Sequence, residues 1–204
     1  MHPEAPFTYP LMEHFYTIQG EGANTGRAAY FIRLGGCDVG CVWCDVKDSW
    51  DAGIHPVVKI ADMVSNVKNS GALRAVITGG EPTHYNLQPL TDQLHAEGLE
   101  CFLETSGAYP LTGTWDWICV SPKKFKQPLD SVLARADELK IIVYNESDFS
   151  WAEQHKSKVK PSCKLYLQPE YSVFNKVTPT IVEYVKKNPD WIISLQTHKV
   201  LQIP

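Results

Sequence analysis

The 204-residue sequence lacks several features that would assign it to other classes of protein. No apolar run is long enough to cross a bilayer, and residues 1–6 have neither the basic start nor the apolar segment of a secretory signal. Basic residues form no cluster, and 19 Lys and Arg against 23 Asp and Glu give a net charge of −4. This charge balance provides no basic surface of the kind that binds nucleic acid. We therefore expect a cytoplasmic protein that binds neither membrane nor nucleic acid.

Low-complexity linkers are also missing, and we expect one domain over residues 1–204 with a substantial core. Short β-rich runs predict strands at residues 30–34, 75–78, 101–104, 117–120, 139–144, 165–167 and 191–195. Amphipathic segments predict helices at residues 60–68, 87–97, 149–156 and 179–187. This alternation predicts an α/β fold with a mostly parallel sheet and right-handed crossovers. Because a closed (β/α)₈ barrel needs about 250 residues, we expect an incomplete, open barrel.

Three of the six cysteines lie on one short loop. Cys37, Cys41 and Cys44 form a C-x₃-C-x₂-C triplet that follows a predicted strand and a Gly-Gly turn. Thiolates are the usual ligands of iron–sulfur clusters, and an electron-carrying [4Fe–4S] centre normally takes four of them. A triplet leaves the fourth iron without a protein ligand, which indicates that this iron binds another molecule.

A structural zinc site is the first alternative, because Zn²⁺ also favours tetrahedral thiolate ligands. Zinc sites usually show paired C-x₂-C clusters, or one cluster with an H-x₃-H pair, and the sequence has no second pair. Disulfides are a weaker alternative, since closely spaced cysteines without a signal peptide suit a metal in a reducing compartment. Cys101, Cys119 and Cys163 are isolated in or beside apolar runs, where a thiol is usually a small buried apolar group.

Polar clusters that contain glycine or proline follow nearly every predicted strand. They lie at residues 35–37, 78–82, 105–107, 121–123, 168–170 and 196–199. The carboxyl ends of parallel strands form one rim of the sheet, where such folds place their chemistry. One cluster alone would be an ordinary βα turn, but six of them indicate a shared binding face.

The cysteine spacing, with Trp43 just before the last cysteine, resembles the signature of the radical S-adenosylmethionine (SAM) enzymes. In that superfamily the open iron of a [4Fe–4S] cluster binds SAM, and an electron from the cluster splits SAM to a 5′-deoxyadenosyl radical. Residues 79–82 (GGEP) resemble the glycine-rich motif that lies beside the SAM amino group. In this motif Glu81 would accept hydrogen bonds from the ammonium group.

A further set of motifs, in order along nearly the whole chain, resembles one family of that superfamily, the 7-carboxy-7-deazaguanine synthases. The set comprises residues 15–22, Arg33, Cys44, Asp45, and residues 78–82, 104–107, 121–123, 167–169 and 196–204. The resemblance implies a lyase that converts 6-carboxy-5,6,7,8-tetrahydropterin to 7-carboxy-7-deazaguanine with loss of ammonia. This step leads to 7-deazapurines such as queuosine. In the family the radical takes a hydrogen atom from the pterin and returns it after ring contraction, so that SAM is regenerated.

The resemblance also implies the residues that contact each ligand. Those implied for SAM are Trp43, Cys44, Asp45, Gly80, Glu81, Thr105, Ser106, Ser121, Pro122, Lys123, Gln168, Pro169, Glu170 and Tyr171. Those implied for the substrate are Ile18, Gln19, Gly20, Arg33, Thr78, His198 and Pro204. Glu21 joins the substrate set on chemical grounds, because a carboxylate can accept hydrogen bonds from the N–H donors of the pyrimidinone edge. The guanidinium group of Arg33 is likewise suited to pair with the pterin carboxylate. A purely structural role stays open for residues with backbone contacts alone, namely Ile18, Gly20, Pro122 and Pro169.

One position departs from the family pattern. Many members carry Thr or Ser two positions after the last cysteine, where the hydroxyl helps to bind a Mg²⁺ ion, and this chain has Val46 there. An alkyl side chain cannot bind Mg²⁺, which requires oxygen ligands. Either Asp45, Asp48 or Ser49 supplies the oxygen, or the enzyme works without the ion. Mg²⁺ is therefore an open question beside the two expected cofactors, the cluster and SAM.

The resemblance further implies a homodimer and a small electron donor such as flavodoxin or ferredoxin. Two alternatives remain. A radical SAM enzyme that activates a glycyl radical protein shares the triplet, but it usually needs a peptide groove and often extra clusters, which have no evident counterpart in the sequence. A zinc-binding interaction module is the alternative from another class. The sequence leaves open the electron donor and whether queuosine or another 7-deazapurine is the end product.

Overall fold

The computed structural model describes residues 7–204, so the expectation that residues 1–6 carry no secretory signal lies outside the described residues. The strands are β1 (Thr8–Ile18), β2 (Ala28–Leu34), β3 (Val57–Lys59), β4 (Arg74–Gly79), β5 (Glu100–Thr105), β6 (Trp117–Val120), β7 (Glu138–Val143), β8 (Lys164–Pro169) and β9 (Trp191–Ile193). The α-helices are α1 (Ile60–Asn69), α2 (Gln88–Ala96), α3 (Asp130–Leu133), α4 (Ser147–Lys156), α5 (Phe174–Lys187) and α6 (Thr197–Leu201).

One nine-stranded sheet contains all of these strands, in the order β3-β1-β2-β4-β5-β6-β7-β8-β9. The pairs from β2 and β4 through β8 and β9 are parallel, whereas β1 pairs antiparallel with both β2 and β3. Within the described residues β3 and β9 are the two edges, and the sheet is not closed. The predicted α/β fold with an open, mostly parallel sheet is therefore confirmed.

Alternation along the strands separates a hydrophobic core from a cavity. In β7, Leu139, Ile141 and Val143 belong to the main core, while Lys140 and Ile142 line the cavity on the opposite face. Strands β2, β4 and β5 alternate in the same way. The core-side residues of β7 are all apolar, so they fix the register of this strand.

Helices cover the core side of the sheet. In α1 the buried residues Ile60, Met63, Val64 and Val67 recur at the spacing of one helical face, and all four belong to the main core. Complete burial of one side chain of this size contributes about 1.5–3 kcal/mol. Helices α2 and α5 bury corresponding faces, which leaves the carboxyl ends of the strands free to form a site.

All seven predicted strands overlap strands of the structure, although β9 ends at Ile193 rather than at residue 195. Strands β1 and β3 and the short helices α3 and α6 were not predicted. The helix predicted at residues 179–187 begins five residues too late, because Pro179 lies inside α5 and not at its start. The Thr178 hydroxyl donates to the Phe174 carbonyl (2.6 Å) in the turn where proline lacks an N–H group.

The isolated cysteines have the predicted structural role. Cys101 and Cys119 lie inside β5 and β6, Cys163 lies just before β8, and all three are buried. In residues 7–204 no helix has the length and apolar character that a membrane span requires.

Candidate functional site

A cavity of about 430 Å³ opens at the carboxyl ends of the parallel strands. Residues from all six predicted polar clusters line it, which brings the clusters together on one face as the sequence indicates. Of the residues implied for the two ligands and the cluster, all line the cavity except Glu81 and Pro122. The role implied for each of these residues stays a prediction.

The loop that carries Cys37, Cys41 and Cys44 leaves the end of β2 and is held by the chain on both sides. The backbone N–H groups of Gly36 and Cys37 donate to the carbonyl groups of Ser49 (2.6 Å) and Trp50 (3.1 Å). The side chain of the intervening Asp38 pairs with Lys126 (2.7 Å) and His84 (3.1 Å) and accepts a hydrogen bond from Tyr109. These contacts hold the loop at the cavity wall.

The three thiols fit a cluster better than a single metal ion. The ligand atoms of one tetrahedral Zn²⁺ with Zn–S distances of about 2.3 Å lie about 3.8 Å apart. In the part of the chain that the structure describes, the only group of three metal-ligating atoms within 4.8 Å of one another is His95, Cys101 and Asp116, outside the cavity. The loop sulfurs are therefore spread more widely than one zinc ion requires, as a larger cluster with several irons demands.

The glycine-rich segment that follows β4 packs directly against the cysteine loop. A Cβ atom on Gly80 would lie 2.5 Å from the Gly36 carbonyl oxygen and 2.6 Å from Cys37 Cβ, so only glycine fits there. Burial raises the pKa of the Cys37 thiol and raises that of Cys41 to about 11, although Lys123 acts in the opposite direction on Cys41. Bound iron would supply the positive charge that these thiolates need.

Glu81 does not face the cavity. Its carboxylate is 1% exposed and accepts five hydrogen bonds, from the N–H and hydroxyl groups of Thr83, the hydroxyl of Thr105, and the N–H and hydroxyl groups of Ser106. Two carboxylate oxygens have about four lone-pair sites, so no acceptor remains for an ammonium group. In this geometry Glu81 positions Thr105 and Ser106, which do line the cavity, and its implied contact with the SAM ammonium group stays a prediction.

The other residues implied for SAM, apart from Pro122, come from several loops and strand ends around the cavity. Lys123 Nζ donates to the Ser121 carbonyl (2.7 Å) and hydroxyl (2.6 Å) and lies 5.6 Å from the centre of the Trp43 ring. On the next strand but one, the Gln168 side chain accepts a hydrogen bond from Ser194 (2.7 Å). These contacts hold polar groups from three separate parts of the chain around the same cavity.

The residues implied for the substrate form the other part of the lining. Arg33 Nε donates to Glu13 (2.6 Å), and its side chain is 19% exposed, which leaves its remaining N–H groups available. Thr78 lies beside it, as its partner in the parallel register of β2 and β4. Burial lowers the pKa of His198, with Glu21 acting in the opposite direction, so the imidazole is neutral at pH 7.

Helix α6 closes this part of the cavity. The Thr197 N–H and hydroxyl groups both donate to the Gly20 carbonyl (2.9 and 3.0 Å). Lys199 Nζ lies 3.7 Å from the centre of the Tyr171 ring, which joins α6 to the opposite wall. The Thr17 hydroxyl donates to the Pro204 carbonyl (3.4 Å), and Pro204 lies at the rim.

Lys140 and Glu104 are cavity residues that the sequence did not single out as ligand contacts. Lys140 Nζ donates to Glu21 (2.7 Å) and Glu104 (3.0 Å), and the Lys140 side chain is only 5% exposed. A lysine between the apolar residues Leu139 and Ile141 of a strand was the available signal, because Lys is almost never fully buried unless it is paired.

Val46 lines the cavity at the position of the missing hydroxyl. Its carbonyl accepts hydrogen bonds from the Ser49 N–H (3.1 Å) and hydroxyl (2.6 Å) groups. Of the three residues that might replace a magnesium ligand, Asp45 and Ser49 line the cavity and Asp48 does not. The cavity therefore offers two candidate oxygen ligands for Mg²⁺, the Asp45 carboxylate and the Ser49 hydroxyl, and the hydroxyl already donates a hydrogen bond to the Val46 carbonyl.

Comparison with known proteins gives concordant results. Residues 31–119 match the family model of the Radical SAM superfamily. The chain is 55% identical to the 7-carboxy-7-deazaguanine synthase of Flavobacterium psychrophilum, over 96% of this chain and 92% of that protein, and 45% identical to that of a Synechocystis species, over 96% and 94%. The crystal structure of QueE from Escherichia coli superimposes with a TM-score of 0.82 at 33% identity, over 93% of this chain and 94% of that one.

Proposed function

Because the chain belongs to the 7-carboxy-7-deazaguanine synthase family of the radical SAM superfamily, we propose that it converts 6-carboxy-5,6,7,8-tetrahydropterin to 7-carboxy-7-deazaguanine with loss of ammonia. One observation carries the proposal. A single cavity joins the cysteine loop to a second region that holds a guanidinium group and two carboxylates. This combination suits a substrate with a carboxylate on one ring and N–H donors on the other.

The cofactor side of the cavity fits both expected cofactors. Cys37, Cys41 and Cys44 would hold the cluster, and Thr105, Ser106, Ser121 and Lys123 offer the hydroxyl and ammonium groups for SAM. When bound, these cofactors supply the radical that removes a hydrogen atom from the pterin and later returns it. The protein's own contribution is to hold the reacting ring carbon close to that radical and to keep water out.

The substrate side orients the pterin by its two ends. Arg33 pairs with the carboxylate, and Thr78 beside it adds a hydroxyl group. Gln19, Glu21 and the neutral His198 bond to the pyrimidinone edge. Helix α6 covers the bound ring, because its contacts with Gly20 and Tyr171 span the cavity mouth.

We also propose the finer features that the family implies. The enzyme is a cytoplasmic homodimer, it receives its electron from a flavodoxin or ferredoxin, and Mg²⁺ contributes little because Val46 supplies no ligand. The cytoplasmic assignment has the support of six free thiols, which suit a reducing compartment. The product enters a 7-deazapurine pathway such as that of queuosine.

Anaerobic reconstitution with iron and sulfide, followed by incubation with SAM, a reductant and the pterin, tests the function. We expect ammonia and 7-carboxy-7-deazaguanine in equal amounts, with SAM consumed far more slowly than product forms. Cys37→Ala, Cys41→Ala and Cys44→Ala should each lose the cluster and all SAM cleavage, whereas Cys101→Ala and Cys163→Ala serve as matched controls that keep their iron.

Three outcomes would contradict the proposal. Zinc in place of iron would favour an interaction module, and glycyl radical formation on a partner protein without pterin turnover would favour an activating enzyme. Full iron content in any variant of the triplet would overturn the assignment of the cluster ligands.

A further inference from the structure

The cavity lining contains a buried ion cluster of Lys140, Glu21 and Glu104. Lys140 is 4% exposed, and its ammonium group lies 2.7 Å from a Glu21 oxygen and 3.0 Å from a Glu104 oxygen. The second oxygen of Glu21 accepts from Gln196 (2.8 Å), and that of Glu104 accepts from Gln19 (3.2 Å). Every carboxylate oxygen in the cluster thus has one protein donor.

Both carboxylates keep acceptor capacity towards the cavity. A carboxylate has about four lone-pair sites, and hydrogen bonds from residues 7–204 fill two sites of Glu104 and two of Glu21, with the Gln168 side chain also close to Glu21. The Glu21 and Glu104 side chains are 20% and 21% exposed, and both line the cavity. They differ in this respect from Glu81, whose lone pairs are all occupied.

Lys140 favours the ionised form of Glu21 although Glu104 lies on the other side of the same ammonium group. Burial raises the pKa of Glu21, but the ammonium group of Lys140 and the amide donors around it outweigh this effect and bring the pKa to about 2. Lys123, which also lines the cavity, adds a second ammonium group near Glu21, so the cluster is distinguished by its free acceptor sites and not by an excess of negative charge. Such a cluster favours a ligand that offers N–H donors without an acceptor of its own.

The sheet sets the distance between this cluster and Arg33. Arg33 pairs with Thr78 of β4, and Glu104 follows Leu103, the partner of Ile77 in the next strand. Two strand spacings of about 4.8 Å separate the backbones of Arg33 and Glu104 by about 10 Å. A flat two-ring molecule with a carboxylate at one end and N–H donors at the other spans such a gap.

We propose that Lys140 is a positioning residue for substrate recognition, which holds Glu21 and Glu104 as a carboxylate pair that binds the 2-amino and N3–H groups of the pterin. This inference rests on the proposed function and adds the group that distinguishes a pterin from a 2-oxo analogue. The alternative is an ion cluster that only stabilises the fold. Such clusters often contribute little net stability, because burying the charges costs about as much as their attraction returns.

Binding measurements separate the two roles without turnover. Anaerobic calorimetry on the reconstituted enzyme with SAM present compares pterin-6-carboxylate with lumazine-6-carboxylate, in which oxygen replaces the 2-amino group. The wild type should prefer the pterin by about tenfold or more, as expected for loss of a hydrogen bond to a charged group. Lys140→Met and Glu104→Gln should both abolish this preference, and SAM affinity and iron content should stay unchanged.

Lys160→Met is the matched control, because it removes the Lys160–Asp137 pair (2.5 Å), which lies outside the cavity. It should keep the full preference for the pterin. If Lys140→Met does not fold, Glu104→Gln decides the question, since it leaves the pair of Lys140 with Glu21 in place.

The possible results are distinct. Equal affinity of the wild type for both compounds, with normal turnover of the tetrahydropterin, would overturn this inference and leave the proposed function standing. An undiminished preference in Lys140→Met or in Glu104→Gln would do the same. Failure of the wild type to bind either compound would contradict the proposed function itself.

Discussion

Glu138 is a buried carboxyl group at the start of β7, and it is 2% exposed. Its Oε2 atom accepts from the Ala23 N–H (3.1 Å) and from Trp117 (3.2 Å), whereas Oε1 has no hydrogen-bond partner among the described residues. A Cβ atom on Gly22 would lie 1.8 Å from Oε1, so glycine is needed where the chain passes this group. Burial raises the pKa of Glu138, with Lys140 opposing and Glu104 adding to the rise.

A carboxyl group with a raised pKa in the folded state stabilises the protein below its unfolded pKa, and this contribution is lost as pH rises through the folded value. The glutamine of Glu138→Gln cannot ionise. The melting temperature of this variant minus that of the wild type should therefore become larger as the pH rises from 5 to 8. Thermal unfolding of the reconstituted enzyme at several pH values measures this trend. Glu146→Gln, an exposed control, should show no such trend, and a parallel pH dependence of Glu138→Gln and the wild type would refute the prediction.

Val46 is the residue-scale test of the metal question. Because its side chain supplies no oxygen ligand, we expect wild-type activity to respond weakly to magnesium. Val46→Thr should enlarge that response several-fold, and Val46→Ala, which adds no ligand, is the control. Steady-state rates at increasing Mg²⁺ concentration measure the effect. A strong, saturable requirement in the wild type would show that other oxygens, such as those of Asp45, bind the ion.

Single residues also show where sequence reasoning succeeds and fails. The cysteine triplet is local, so its place on one loop follows from spacing alone. Glu81 and Glu104 both stand near the carboxyl end of a strand, yet only Glu104 presents its carboxylate to the cavity. The difference comes from Thr105 and Ser106, which bond to Glu81 from another strand, and no pattern around residue 81 reveals this contact.

At the scale of elements, α5 carries an internal proline that the helix tolerates at a cost. Pro179 is exposed and lacks the N–H group that would bond one turn back. Pro179→Ala should stabilise the protein by about 1–2 kcal/mol. Alanine favours the helix far more than proline does, and this gain exceeds the loss that comes from the greater conformational entropy of the unfolded chain with alanine. Chemical unfolding measures this gain. Thr180→Ala, also exposed in α5, is the control, and destabilisation by Pro179→Ala would show that the helix requires proline at this internal position.

Strand β1 shows why an element can escape prediction. The predicted parallel strands are buried and apolar, whereas β1 contains Pro10, has a register shift between Leu11 and Glu13, and alternates irregularly between buried and exposed residues. Its pairing with β2 and β3 supplies the order that its own pattern lacks. The fold class follows from strands with strong local signals, while the antiparallel edge follows only from tertiary pairing.

For the whole molecule, the segment after β9 completes a cavity whose sheet is already formed. We expect a variant that ends after Leu195 to retain the far-ultraviolet spectrum and the iron content of the full chain, because the cysteine loop has no hydrogen bond to this segment within residues 7–204. Its affinity for the pterin should fall by more than tenfold, since Gln196 and His198 are lost. Calorimetry and iron analysis measure both properties, and unchanged affinity would show that α6 lies outside the substrate site.

The contact between α6 and Gly20 also has a consequence for the order of folding. The bonded residues are 177 positions apart in sequence, so this contact closes nearly the largest loop that the chain allows. Loop closure over such a distance is entropically costly and comes late, after the nearer strands have paired. During synthesis the sheet would therefore exist before the pocket is finished. In refolding experiments we expect secondary structure to recover first and pterin affinity to return in a separate, slower phase.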